Sequence, residues 1–94
     1  MYYPGVPFST LMGYKLWLFK ASGYMADNNV LRFDYDELLR ELHSTAQYTV
    51  TGNRREAQAA GIRMKYTLKR ANRHLASIKS VEKDQAGYYG YAIK

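Results

Sequence analysis

Ninety-four residues have room for one small hydrophobic core and not for two, and 47% apolar side chains are too many for a disordered tail. The absence of cysteine removes disulfides, thiolate nucleophiles and thiolate metal sites together, so burial alone must hold the fold. The net charge of +6 is unevenly placed: residues 52–83 carry nine Lys/Arg against Glu56 and Glu82, a net of +7, residues 1–51 carry four basic and five acidic side chains, and residues 84–94 cancel. A neutral scaffold bearing one basic segment points to a polyanion-facing surface, with a merely solvated helix face as the plain alternative.

No internal repeat and no Ser/Gly-rich linker interrupts the chain, so a single domain over 1–94 is expected. The opening Met1-Tyr2-Tyr3-Pro4-Gly5 lacks the positive charge of a signal peptide, and the apolar run Leu16–Phe19 is far too short for a membrane span. Neither secretion nor insertion is expected, and a cytoplasmic address fits best.

The first element is ambiguous. Ser9 can cap a helix over 9–22 that stops at Gly23, yet Tyr14-Lys15-Leu16-Trp17-Leu18-Phe19-Lys20 is aromatic enough for a buried strand. Residues 23–29, Gly-Tyr-Met-Ala-Asp-Asn-Asn, read as a loop. Asp34 with Glu37 three residues later has the pattern of a capping box, flanked by Phe33 and Leu38 at the positions of a hydrophobic staple. Tyr35, Leu38, Leu39, Leu42 and Ala46 follow at helical spacing, which predicts a helix over about 35–48.

Gly52 is a natural stop, and Asn53 with Glu56 repeats the N-cap pattern, so another helix should begin at Arg54. From there Ala57, Ala60, Gly61, Met64, Leu68, Ala71, Leu75 and Ile78 fall within roughly a 100° sector, the stripe of an amphipathic helix. Most of the Lys/Arg lie on the far side. One unbroken helix over 54–83 keeps the stripe continuous but strands Ile62 on the basic face beside Tyr66; a turn at Gly61-Ile62 would bury Ile62 among three helices. Gly87 ends this region and opens a Tyr-rich tail, 87–94, readable as a short edge strand or an arm. The fold class is thus mainly α, a small helical domain, with those two elements open.

The turned alternative brings a family to mind on specific residues. Gly52-Asn53-Arg54-Arg55-Glu56-Ala57, Ala60-Gly61-Ile62 and Thr67-Leu68-Lys69-Arg70 resemble the helix-turn-helix of Fis-type DNA-binding domains. The resemblance implies a recognition helix from Met64 that enters a major groove, with Lys65, Tyr66, Lys69, Arg70 and Arg73 available to bases and phosphates and Arg54 and Arg55 on the backbone. Arg63 completes the basic set.

Tyrosine is the other anomaly, ten in the chain, with Tyr2, Tyr3, Tyr88, Tyr89 and Tyr91 clustered at the two ends. Tyrosine offers large contact area at small entropic cost and is enriched at interfaces.

Catalysis finds little footing. His43 and His74 have no acidic or histidine partner at metal-ligand spacing and read as surface or boundary residues, while capping accounts for Asp34 and Glu37. No phosphate-cradling glycine pattern is present. The expectation is a non-enzymatic binding protein without cofactor or metal, whose partner is a nucleic acid, duplex DNA foremost. The alternative is a protein-interaction module, an inhibitor or assembly subunit, that meets an acidic protein surface or its own copy through the terminal tyrosines and the apolar stripe. A membrane-surface helix ranks last, because the stripe is rich in Ala and Gly.

Overall fold

The structure is a computed structural model that describes the backbone of residues 5–93 and the side chains of 5–80. It consists of three helices, α1 (Phe8–Ala21), α2 (Asn29–Val50) and α3 (Arg54–Ile93), with a 3-10 turn at Met25–Asp27 between the first two. No strand occurs among the described residues. Tyr2 and Tyr3, and the side chains of Tyr88, Tyr89 and Tyr91, lie outside the described residues.

The ambiguous first element is a helix. Pro7, at φ −58°, precedes it, and its carbonyl accepts the first backbone bond, from Leu11 N at 3.1 Å, so Pro7 and not Ser9 stands at the cap. Leu11, Tyr14, Trp17 and Ala21 form its buried face. The Trp17 indole N–H donates to the Ala71 carbonyl at 3.0 Å, so the one polar atom of the largest core side chain is satisfied on α3.

The second helix begins earlier than its sequence pattern predicts. Asn28 is the cap, its side-chain oxygen accepting from Leu31 N at 3.0 Å, and the capping box at Asp34 does not form. Starting at Asn29 puts Leu31 on the same face as Leu38 and Leu42, and all three are buried; burial of one more leucine outweighs the local cap. Phe33 stays exposed and makes no staple.

The α2–α3 junction follows its sequence signals. Gly52 takes φ +79°, Asn53 N bonds back to Tyr48 O at 2.8 Å, and Asn53 Oδ1 accepts from Glu56 N at 3.3 Å. The three-residue link makes α2 and α3 antiparallel neighbours, and α1 lies against both.

Of the two alternatives for residues 54–83, the unbroken helix holds: α3 passes through Gly61-Ile62 without a turn. Ala57, Ala60, Gly61, Met64, Leu68, Ala71 and Leu75 are buried and Ile78 half-buried, so α1 and α2 cover the predicted stripe. Ile62 stays in water, 56% exposed. Neither the stop at Gly87 nor a C-terminal strand is found, since the helical backbone continues to Ile93. An established helix adds one hydrogen bond for each further residue fixed, which carries weak formers such as Gly87 and Gly90. At 1.5 Å per residue its 40 residues span about 60 Å, which accounts for the 62 Å long axis of the molecule.

Two glycines let the chain cross itself. Residues Gly5 and Val6 run over the start of α3, and a Cβ on Gly61 would overlap the Gly5 carbonyl oxygen. Gly5 itself, at φ +86°, would place a Cβ 2.9 Å from the Ala57 carbonyl oxygen. Val6 thereby reaches the core cluster.

Candidate nucleic-acid interface

Charge on α2 and α3 is sorted by face. Three acidic side chains of α2 turn to the α2–α3 seam and meet cations of α3. Arg63 Nε lies 3.0 Å from Glu41 Oε2, Arg70 Nη2 bonds to Glu37 Oε2, and Arg70 Nε lies 3.6 Å from Asp34 Oδ1. His74 Nδ1 lies 2.6 Å from Asp34 Oδ2. His74 is half-buried, a boundary residue as expected, and is partnered by Asp34, a contact its sequence neighbourhood does not reveal, whereas His43 is exposed as expected.

Asp34 is fully buried, and its role is the feature least visible in the sequence. It stands three residues after Leu31 and four before Leu38, on the core face. That placement was the available signal, since a carboxylate on an apolar stripe needs a cation or donors opposite it. Oδ1 makes only the long ion-pair contact with Arg70 and has no hydrogen bond.

Beside this cluster Asn29, Val30, Phe33, Asp34, Arg70 and His74 line a shallow, mostly apolar depression of about 400 Å³. Its rim offers an Asp–His pair but no hydroxyl, thiol or amine nucleophile. No group of three potential metal ligands occurs among the described residues. The arrangement can tie two helices together electrostatically.

The outward face of α3 is the complement of the seam. Arg55, Ile62, Lys65, Tyr66, Lys69 and Arg73 are all exposed, and at 100° per residue they fall within roughly a 100° sector. Arg54 flanks this ridge and is exposed as well. From Arg55 to Arg73 the ridge is about 27 Å long. None of Arg54, Arg55, Lys65, Lys69 and Arg73 forms an ion pair with another described residue. Lys69 Nζ sits 5.6 Å from the Tyr66 ring centroid, within cation–π range.

The structure thus divides the eight nucleic-acid candidates. Lys65, Tyr66, Lys69 and Arg73, with Arg54 and Arg55 in the first turn, share an outward surface, while Arg63 and Arg70 are drawn aside by Glu41, Glu37 and Asp34. Lys65, Tyr66, Lys69 and Arg73 stand on the continuous helix rather than on a separate one after a turn. No helix among the described residues is long and apolar enough to cross a membrane. No protein-family model, curated protein or solved structure matches the chain.

Proposed function

We propose that the protein binds nucleic acid, duplex DNA foremost, by laying the outward ridge of α3 against the phosphate backbone, without catalysis. The observation that carries this reading is the sorting of charge: the acidic residues of the α2–α3 seam neutralise Arg63 and Arg70, while Arg54, Arg55, Lys65, Lys69 and Arg73 face water free of ion pairs with described residues. Unpaired cations held on a rigid helix release counterions from a polyanion at little conformational cost.

Shape supports the same reading. α1 and α2 cover one side of α3 only, and a helix bare along its other side fits a major groove about 12 Å wide. The ridge needs no helix-turn-helix geometry. Tyr66 adds a flat ring among the cations, able to pack on a sugar or an unpaired base.

The test is charge removal by position. Lys69→Gln with Arg73→Gln should weaken duplex binding and reduce the slope of log affinity against log salt by about two, one for each phosphate no longer neutralised. Arg63→Gln, at a side chain engaged by Glu41, should change binding less. Unchanged affinity and slope in the Lys69/Arg73 variant would refute the proposal, and an acidic protein surface would become the better partner.

A further inference from the structure

The outer face of α1 carries large apolar side chains that the fold leaves bare. Leu11, Tyr14, Trp17 and Ala21 fill the core, yet Phe8, Met12, Leu16 and Phe19 on the opposite side remain 76%, 46%, 54% and 80% exposed. At 100° per residue these four lie within about 80°, one contiguous stripe. With roughly 200 Å² for each such side chain when free, the stripe exposes about 500 Å². That lies in the upper half of the range of about 300–600 Å² for the largest apolar patch on a monomer, a size that often marks a contact surface.

We infer that this face is the contact between two copies of the chain, paired α1 against α1 in antiparallel fashion about a two-fold axis. The spacing is self-complementary. Phe8 and Phe19 are symmetric about the midpoint between Gly13 and Tyr14, and Met12 and Leu16 about Tyr14, half a residue away, so rotation by 180° sets Phe8 opposite Phe19 of the second copy and Met12 within about 1.5 Å, along the axis, of the level of its Leu16. Each bulky end meets a bulky end, and the two flexible aliphatic chains meet at the centre.

The lysines on this helix obey the same symmetry. Lys15 and Lys20 stand on opposite flanks of the stripe, and the two-fold, which lies across both helices in the plane of the contact, keeps each on its own flank. Lys15 of one copy and Lys15 of the other then share a flank about 4.5 Å apart along the axis, within the screening length of about 8 Å at physiological salt, so their repulsion weakens the pairing and is relieved as salt rises. Their aliphatic stems extend the buried area at the rim.

Two such faces bury about 1,000 Å² in total, the lower edge for a specific interface, so a dissociation constant of about micromolar order is expected. The inference is independent of the nucleic-acid reading, because it rests on α1 and the basic ridge on α3.

Sedimentation equilibrium of the full chain over about 1–100 μM should show a monomer–dimer equilibrium. Phe19→Glu should raise the dissociation constant by about a hundredfold or more with unchanged far-UV circular dichroism, since it sets a charge against Phe8 of the other copy at both ends of the contact. The absence of native cysteine permits a direct check of register. Oxidation of an equimolar mixture of Phe8→Cys and Phe19→Cys chains should give mainly the mixed 8–19 disulfide, because the 8–8 and 19–19 pairs are about 16 Å apart in this arrangement. A wild-type chain that stays monomeric throughout that range would overturn the inference, whether or not the face then binds lipid vesicles or another protein. So would random pairing among the three possible disulfides.

Discussion

His74 on α3 and Asp34 on α2 meet at 2.6 Å across the seam, although 40 residues separate them. The Asp34 carboxylate is buried, and Arg70 supplies a cation beside it. Removing a cation from a buried carboxylate leaves a charge without compensation, which is worse than removing both. Arg70→Met should therefore destabilise the fold by about 1–3 kcal/mol, moderated because Arg70 itself is partly exposed, and Asp34→Leu combined with it should restore much of that loss. Urea denaturation of the two single variants and the double variant measures the coupling; strictly additive effects would show that the seam is not a network.

Ile62 tests whether α3 is continuous. With the side chain in water on an unbroken helix, Ile62→Gln should shift stability by no more than about 0.5 kcal/mol. A turn at Gly61-Ile62 would bury it in the core, and the same substitution would then cost about 2 kcal/mol or more. A thermal melt distinguishes the two.

Two glycines inside helices should respond with opposite signs. Ala is favoured over Gly in a helix interior by about 1 kcal/mol. At Gly13 the new Cβ would meet only the end of the Leu68 side chain, at 3.0 Å, and Leu68 can shift, so Gly13→Ala should be neutral or stabilising. At Gly61 it would strike the Gly5 backbone, so Gly61→Ala should lower the melting temperature and expose the segment around Val6 to protease. Equal responses at the two positions would contradict the described path of that segment.

What the sequence made legible depended on whether a signal was local. The α2–α3 junction was readable because Gly52 and Asn53 act within their own turn, and the α3 stripe because one polar face sets off one apolar face. α1 could not be assigned by period, since Phe8, Met12, Leu16 and Phe19 make its outer face as apolar as the inner one. The start of α2 was misplaced because Asp34 and Glu37 match a capping box, while their actual partners, His74 and Arg70, lie more than 30 residues away. For the site, the basic segment was evident in the sequence. Which of its cations are spoken for was not, because Glu37 and Glu41 select Arg70 and Arg63 only once the helices pack.

The central claim is that the ridge of α3 binds the phosphate backbone, and fluorescence anisotropy with a labelled duplex at about 50 and 200 mM salt tests it most directly. Four phosphate contacts, from Arg55, Lys65, Lys69 and Arg73, predict that affinity falls by about a hundredfold between the two concentrations. Affinity that is absent at the lower salt, or present and insensitive to it, would contradict the account.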